Sequence, residues 1–179
     1  EIIAFDSTIT SLNLAKEFAK KNKITNIKFV NADIFDDVLS ENYFDFIWCN
    51  GVLHHTKDPY KAFETVIKSL NKNGYILIGL YNKFGRFRTI IRKYLYKIVG
   101  KKILDYLDPT LRNLKFDKEQ KDAWIRDQYI HPIESLHTID EVLMWFEKNN
   151  CEFISSIPSS DFNYDYTDIF EKKSSGSYY

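Results

Sequence analysis

Between residues 43 and 81, the order of apolar and polar positions predicts a strand, a helix and a second strand. The run 44–48 combines aromatic and β-branched side chains and stops at the polar pair Asn50-Gly51, which is the pattern of a buried parallel strand. After Pro59, which the first turn of a helix tolerates, apolar side chains recur at spacings of three and four. We therefore expect a helix with one apolar face after the strand and its loop.

The polar stretch 71–74 is expected to end this helix. Its last residue, Gly74, can adopt the positive φ at which many helices stop. The apolar run 75–78 then predicts a second buried strand. Strand, helix and strand in this order form a βαβ unit with a right-handed crossover. The predicted fold class is therefore α/β with a mostly parallel sheet.

The segment 83–102 is predicted to form a basic amphipathic helix, because it contains no acidic residue and its apolar residues recur at helical spacing. One interpretation is that the helix attracts an anionic substrate, a phosphate or a membrane surface. The other is a solvated basic face above an apolar stripe that packs on the core. The apolar positions are Phe84, Phe87, Ile91, Tyr94, Leu95 and Ile98.

A second cluster of chemically active side chains lies between residues 126 and 138. Thr138 and Glu141 have the spacing of a capping box, so a helix is expected to begin there. That local role does not account for His131, Glu134 or His137, and functional side chains are frequent in such connecting segments.

Composition favours an ordinary enzyme domain of 179 residues, 44% of them hydrophobic, with one core. Basic and acidic residues both number 25, which argues against extensive coating of nucleic acid but not against a local basic patch. A nucleic-acid partner is not expected, and the expected partner is a small-molecule substrate. Two cysteines are too few for a disulfide framework, so a reducing cytoplasm is expected. No apolar run has the length of a membrane span, and the adjacent pair His54-His55 has no carboxylate at metal-ligand spacing.

The sequence FDFIWCNGVLHHTKDPYKAFETVIKSLNKNGYILIGLY, residues 44–81, resembles the core of class I S-adenosylmethionine-dependent methyltransferases. The shared pattern is an Asp-led strand, a Leu-His-His segment, a helix and a glycine turn. Upstream, residues 2–7 and 27–34 resemble the second and third strands of that family, in the right order. The resemblance implies a doubly wound, Rossmann-like sheet and S-adenosylmethionine as the cofactor.

The same resemblance implies how the chain is organised. Residues 1–82 would form the cofactor-binding core, and 83–137 a helical cap that carries the substrate site. Residues 138–179 would complete the sheet within one overall domain. In this last part, 151–157 is predicted to be a strand, and the region 164–170 a final antiparallel strand.

The resemblance also assigns cofactor contacts in the first 36 residues. Asp6, followed by Ser7, is at the position that holds the ribose hydroxyls, and a carboxylate there can accept both of their hydrogen bonds. Asp33, followed by Ile34, is where an acidic residue of the family meets the adenine amino group. Asp33 can instead cap a turn, and the carboxylates at 36–37 compete with it for the adenine.

Asn50, Gly51 and His55 follow the strand that lines the methionine part of the cofactor in the family, and they are expected to contact it. For Gly51 the alternative is a purely conformational requirement. For the histidine pair the alternative is a structural role. No metal ion is expected here.

On the substrate side, the expected contacts are with residues near the carboxyl end of the strand at 75–78 and in the cap, because ligands of open α/β sheets bind beyond the carboxyl ends of the strands. These residues are Tyr81, Asn82, Arg86 and Tyr129. The implied reaction is in-line displacement of a methyl group from a sulfonium. His131 and His137 are the candidates for a general base, or else hydrogen-bonded structural histidines.

The glycine-rich loop of the family is expected about 20 residues before Asp6, whereas the sequence begins at Glu1. We therefore expect a sheet without its first strand and a fragment with weak or no cofactor binding by itself. A non-catalytic, methyltransferase-like binding subunit is the alternative. An NAD(P)-dependent oxidoreductase is less favoured, because the sequence lacks a Tyr-x-x-x-Lys pair.

Overall fold

The computed structural model describes residues 1–36, 38–130 and 133–157. The chain divides into two compact units. The first unit contains residues 1–49 and 58–78, and the second contains residues 50–57 and the chain from Gly79 onward.

The first unit opens with a strand, a helix and a strand. These are β1 (Ile2–Asp6), α1 (Ile9–Lys21) and β2 (Ile27–Asn31). The two strands are parallel, with Ile2 opposite Ile27 and Asp6 opposite Asn31. This register brings the carboxyl ends of both strands to the same edge of the sheet, which is where the sequence places its first two cofactor contacts.

The predicted βαβ unit is confirmed by β3 (Phe44–Asn50), α2 (Pro59–Ile67) and β4 (Leu70–Gly79). A short 3-10 turn, Leu53–His55, lies between β3 and α2. At the start of β3, the N–H of Phe44 donates to the carbonyl oxygen of Ser69, just before β4, at 2.9 Å. After the end of β3, the N–H of Gly51 donates to the carbonyl oxygen of Gly79, the last residue of β4, at 3.1 Å. Because both strands run in the same direction between these two bonds, they are parallel.

Helix α2 forms where the spacing of apolar residues after Pro59 predicts a helix. Asp58 caps the helix by accepting a hydrogen bond from the backbone N–H of Lys61 at 3.0 Å, and Pro59 occupies the first turn. Ala62, Phe63 and Val66 are buried, as the spacing predicts. Local capping and an apolar face therefore agree on the same helix.

The prediction that Gly74 ends the helix with a positive φ is wrong. The helix ends at Ile67, Gly74 lies inside β4, and the positive φ of 64° belongs to Asn73. Asparagine tolerates this conformation better than most residues. Gly74 is required for space instead, because a Cβ there would lie 2.9 Å from Cδ1 of Leu70 and 3.0 Å from the carbonyl oxygen of Asn71.

The predicted α/β class with parallel strands is confirmed. The described strands form two pairs, β1 with β2 and β3 with β4. The predicted strand 151–157 is wrong, because residues 151–156 pair with none of the described strands. The predicted strand at 164–170 lies outside the described residues. The lack of a first strand and the boundaries after residues 82 and 137 stay predictions.

The second unit is mainly helical. Its core contains Leu104, Ile125 and Tyr129, with Tyr96 packed against them. The helices are α3 (Phe87–Val99), α4 (Lys102–Leu107), α5 (Pro109–Asn113), α6 (Lys118–Ile125), a π-helical turn (Arg126–Ile130) and α7 (Ile139–Lys148). None of the helices in the described residues is long and apolar enough to cross a bilayer.

The interpretation in which the apolar stripe of residues 84–98 packs on the core is wrong for the described part of the chain. Five of its six positions, Phe84, Phe87, Ile91, Tyr94 and Ile98, are exposed, and the sixth, Leu95, is half-buried. Helix α3 packs instead through the face that carries Tyr96, because Tyr96 contacts the core of Leu104, Ile125 and Tyr129, and Lys93 pairs with Glu134 in the loop before α7.

Helix α7 begins at the predicted cap. Oγ1 of Thr138 accepts a hydrogen bond from the backbone N–H of Glu141 at 3.2 Å. The carboxylate of Glu141 turns toward His137, where Oε1 lies 3.1 Å from Nδ1. These contacts therefore form only one of the two hydrogen bonds of a capping box, the one that Thr138 accepts. The carboxylate of Glu141 orients His137 instead.

Candidate functional site

Asp6 ends β1 and is held by a local turn. Its Oδ1 accepts a hydrogen bond from the backbone N–H of Thr8 at 2.7 Å, and its carbonyl oxygen accepts one from Nδ2 of Asn31 at 2.9 Å. Among the described residues Oδ2 has no hydrogen-bond donor. The half-buried carboxylate is thus oriented by the backbone and retains one acceptor oxygen, and Ser7 follows it at the exposed edge. This arrangement fits a ligand with hydroxyl donors.

Asp33 and Asp36 form a second carboxylate pair just after β2. Oδ1 of Asp33 accepts a hydrogen bond from the N–H of Phe35 at 3.0 Å, and the N–H of Asp33 donates to Oδ2 of Asp36 at 2.8 Å. Each carboxylate therefore closes part of the turn with one oxygen. Ile34 between them is half-buried. Position 37 lies outside the described residues, and the preference for Asp33 stays a prediction.

In the second unit, Gly51 has a backbone conformation that favours glycine. Its φ is 77°, and a Cβ at this position would meet nothing within 4 Å, so a side chain would be disfavoured by strain and not by crowding. The side chain of Asn50 packs directly against Gly79. A Cβ atom added to Gly79 would lie only 1.7 Å from Oδ1 of Asn50. The sequence reasoning missed Gly79, although a glycine at the end of a buried strand is a signal of close approach.

His54 is the most completely buried polar side chain of this region, with 1% of its surface exposed. Its ring centroid lies 3.9 Å from that of Tyr81 and 4.2 Å from that of His55. Neither ring nitrogen has a hydrogen-bond partner in the described structure. Burial, assisted by the neighbouring His55, lowers the pKa of His54 to about 4, so the ring is neutral at pH 7.

His55 is oriented from the cap. Its Nδ1 lies 3.0 Å from the carbonyl oxygen of Ile133, and its ring meets Tyr81 edge-on at 5.8 Å between centroids. The backbone of the same segment is fixed too, because the N–H of Ser135 donates to the carbonyl oxygen of His54 at 2.9 Å. The Leu-His-His segment and residues 133–135 are therefore held together.

Tyr81 is covered on its other side by Arg86, whose guanidinium carbon lies 3.8 Å from the ring centroid. Nε2 of Gln128 lies 3.2 Å from the hydroxyl oxygen of Tyr81 and donates to it. Burial raises the pKa of Tyr81. The phenol is therefore neutral, accepts a hydrogen bond, and is stacked between a histidine and an arginine.

Arg86 is itself buried and paired. Its Nη2 and Nε lie 2.8 Å and 3.2 Å from Oε1 of Glu134, and its Nη1 donates to the side chain of Gln128. Nζ of Lys93 lies 3.4 Å from the second oxygen of Glu134. Burial alone would raise the pKa of Glu134, but Arg86 and Lys93 hold it below the ordinary value. Sequence reasoning missed Gln128 as a partner of Tyr81.

His137 is the centre of a hydrogen-bonded chain. Its Nε2 lies 2.7 Å from Oγ of Ser135, and its Nδ1 lies 3.1 Å from Oε1 of Glu141. The ring is buried and meets Trp145 edge-on at 5.0 Å. Its backbone N–H donates to the carbonyl oxygen of Tyr81 at 2.9 Å, which joins this chain to the Tyr81 cluster. Sequence reasoning did not find Ser135, and His131 lies outside the described residues.

Two other expected substrate contacts have structural partners. Oδ1 of Asn82 accepts hydrogen bonds from the backbone N–H groups of Phe84 and Gly85, both at 2.9 Å, and so forms the turn before α3. The hydroxyl of Tyr129 donates to Oδ2 of Asp108 at 2.8 Å inside the helical core. Burial, together with Asp108, raises the pKa of Tyr129 to about 12.

Comparison with known proteins gives a match over residues 1–128 to a family model described as a methyltransferase domain. An uncharacterized protein of Synechococcus sp., syc1184_c, is 25% identical over 175 residues, which are 86% of this chain and 42% of that protein. A tRNA U34 carboxymethyltransferase of Campylobacter fetus is 36% identical over 77 residues, 43% of this chain and 27% of that enzyme.

Among solved structures, PKMT2 of Rickettsia typhi in complex with AdoHcy superposes with a TM-score of 0.64 at 19% identity, covering 82% of this chain and 33% of that one. This likeness confirms the Rossmann-like methyltransferase fold. The chain spans less than half the length of each of these three proteins.

Proposed function

Because the chain belongs to the methyltransferase domain family, we propose that the protein carrying it transfers a methyl group from S-adenosylmethionine, the cofactor of this family, to a small molecule. The supporting observation is the carboxylate of Asp6 at the carboxyl end of β1. One oxygen is oriented by the N–H of Thr8, and the other is left to accept from a hydroxyl. A ribose diol supplies such donors, so the residues present fit the cofactor.

We infer the cofactor contacts, residue by residue, from the resemblance of the sequence to the family. Asp6 and Ser7 would hold the ribose. Asp33 and Ile34 would hold the adenine, and the methionine part would lie against Asn50, Gly51 and His55. When bound, S-adenosylmethionine supplies a methyl group already activated on a sulfonium, so the protein contributes mainly binding and orientation.

The acceptor substrate would meet the cluster around Tyr81. His54 and Arg86 fix both faces of this ring, and the phenol stays neutral because burial raises its pKa. Arg86 uses its N–H groups on Glu134 and Gln128, so its part is to position Tyr81. Asn82 and Tyr129 complete the predicted substrate contacts.

A proton released by the acceptor would pass to His137 through Ser135. Oγ of Ser135 would accept the substrate proton as it gives its own proton to Nε2 of His137, and Glu141 would stabilise the imidazolium through Nδ1. His131, outside the described residues, remains the second candidate for this base.

The proposed compartment is the cytoplasm. Cys49 and Cys151 are both free thiols. Cys49 is buried, and this burial raises the pKa of its thiol to about 11, so the group stays protonated and unreactive. Two free thiols suit a reducing environment.

The test uses the intact protein that carries this sequence, incubated with a metabolite extract and isotopically labelled S-adenosylmethionine, with mass spectrometry of the products. A labelled small molecule supports the proposal. Calorimetric titration of Asp6→Ala should show affinity reduced about tenfold to a hundredfold, because a charge-assisted hydrogen bond is lost. Glu17→Ala, on the exposed side of α1, is the matched control.

Two results would contradict the proposal. Unchanged cofactor affinity in Asp6→Ala would remove Asp6 from the ribose site. Tight cofactor binding without any labelled product would favour the alternative, a non-catalytic binding subunit.

A further inference from the structure

Helix α3 and the turn before it present an apolar stripe to the exterior of the described structure. Its residues are between 45% and 81% exposed, although all are large and apolar. Scattered exposed apolar residues are ordinary, but a stripe along one face of a helix marks an interaction surface. The stripe consists of Phe84, Phe87, Ile91, Tyr94 and Ile98.

The helix is anchored through its opposite face. At about 100° per residue, Tyr96 lies diametrically across α3 from the stripe. Tyr96 packs on the core of Leu104, Ile125 and Tyr129. The helix is therefore held by the second unit in an orientation that directs its apolar face outward.

The basic residues of 83–102 fall into two sets. One set has internal partners: Arg86 and Lys93 pair with Glu134, Lys101 pairs with Asp122, and Arg92 acts on Asp108 and Tyr129. The other set is exposed and has no ion pair with any residue that the structure describes. This free set is Lys83, Arg88, Lys97 and Lys102.

Two of the free cations, Arg88 and Lys97, lie on α3 beside the stripe. On the helical projection, Arg88 lies about 90° to one side of the stripe and Lys97 about 90° to the other. Lys97 also lies 5.9 Å from the ring of Tyr94, at the boundary between the apolar and polar faces. An apolar face with cations along both edges is the pattern of a helix that lies in a membrane interface.

We propose that this face of α3 docks the protein on an anionic lipid membrane. The stripe enters the boundary between head groups and acyl chains, and Arg88 and Lys97 at its edges meet anionic head groups. Thirteen residues, the length of α3, are too few to span a bilayer, so the helix lies parallel to the surface. The inference is independent of methyl transfer.

Other occupants fit less well. A nucleic acid would use the cations and could stack on the aromatic rings, but it offers nothing to Ile91 and Ile98. A second copy of the chain, packed stripe to stripe, would place cations of both copies along each edge of the interface, where like charges repel. Anionic lipid satisfies both the apolar stripe and its basic edges.

The test is flotation of the intact protein with vesicles of phosphatidylcholine alone and of phosphatidylcholine with about one third phosphatidylglycerol. We expect binding to the anionic vesicles, reduced by added salt, and at least about tenfold weaker binding to the neutral ones. Equal binding to both, or none, would overturn the proposal.

Two pairs of substitutions separate the parts of the surface. Phe87→Ser with Ile91→Ser should weaken vesicle binding about tenfold or more, and Arg88→Gln with Lys97→Gln should weaken it by a similar factor and reduce its salt dependence. The matched controls are Met144→Ser, half exposed on α7, and Lys115→Gln, and both should bind as the parent does. All substituted side chains are exposed, and circular dichroism checks that the variants fold.

Three further results would each overturn the proposal. Unchanged vesicle binding in both variant pairs would show that another surface holds the lipid. RNA binding that the same substitutions abolish, without vesicle binding, would assign the face to nucleic acid. A dimer in analytical ultracentrifugation that Phe87→Ser dissociates would assign it to a second copy. Because cofactor binding and turnover do not enter these measurements, their failure is distinguishable from failure of the proposed reaction.

Discussion

The rings of His54 and Tyr81 lie 3.9 Å apart at an interplanar angle of 32°, although 27 positions separate them in the sequence. His54 lies in the 3-10 turn after β3, and Tyr81 follows β4. Parallel pairing of these strands is what brings their carboxyl ends together. The contact fixes the residue around which the proposed substrate site is built, and it buries a histidine that has no hydrogen-bond partner for its ring in the described structure.

The first prediction concerns stability at mildly acid pH. The folded-state pKa of His54, about 4, lies below the ordinary value of 6.5. A histidine that must stay neutral in the fold stabilises it above the unfolded pKa, and this contribution is lost as pH falls from 6.5 toward 4. The free energy of unfolding should therefore fall by up to about 3 kcal/mol across this interval.

Urea unfolding of the intact protein at a series of pH values measures this loss. His54→Phe keeps a ring against Tyr81 and removes the titration, so its curve should be flatter over the same interval. If His54→Phe and the parent lose the same free energy, another group is responsible.

The second prediction concerns the buried ion pair. Glu134→Gln leaves the guanidinium of Arg86 without its carboxylate in a site where both side chains are 11% exposed. Breaking one partner of a buried pair costs about 3 kcal/mol, because the remaining charge is uncompensated. Asp105→Asn, which breaks the more exposed pair of Asp105 with Lys121, should change the unfolding free energy far less.

Denaturant titration of both variants tests this difference. Equal effects at positions 134 and 105 would mean that the Arg86 pair behaves as a surface contact. Loss of the pair should also free the guanidinium from its place over Tyr81, which a change in the fluorescence or ultraviolet absorbance of the intact protein would report.

The third prediction concerns the chain from Ser135 to Glu141. If His137 receives the substrate proton, His137→Gln should reduce kcat by about a hundredfold to ten thousandfold, since a general base contributes a factor of that order. Glutamine keeps hydrogen-bonding capacity but cannot take up the proton. Ser135→Ala should produce a loss of similar size, because it interrupts the same path.

Separate measurements of turnover and cofactor affinity distinguish catalysis from support. In His137→Gln the loss should appear in kcat, while the affinity for the cofactor stays close to that of the parent. A variant that keeps the parent kcat would leave His137 with a structural role and point to His131.

The fourth prediction concerns Gly79. Adding a methyl group at this position places it 1.7 Å from Oδ1 of Asn50, so Gly79→Ala should destabilise the protein by about 1–3 kcal/mol. Combining it with Asn50→Ala removes the obstructing atoms and should restore part of that loss. A double-mutant cycle by thermal or urea unfolding measures the coupling, and additive effects would show that the two residues are not in contact.

Much of the fold was predictable because its signals are local. The βαβ unit from residue 44 to residue 79 follows from apolar spacing, and the caps Asp58 and Thr138 lie next to the helices they start. The position of Asp6 at the end of β1 was predictable, because the sequence shows an acidic residue directly after an apolar run. These features depend on residues a few positions apart, where backbone geometry decides the contact.

The sequence by itself therefore determined the class of the fold, its parallel strand pairs and the family to which it belongs. Tertiary structure decided which side chains meet: the stacking of Arg86 on Tyr81 with Glu134 as its counterion, the link from Ser135 to His137, and the outward face of α3. Apolar spacing defines an apolar face but not what covers it, since that depends on partners distant in sequence. At residues 73 and 74 the structure also separated two roles: Asn73 has the positive φ, and Gly74 leaves space beside Leu70.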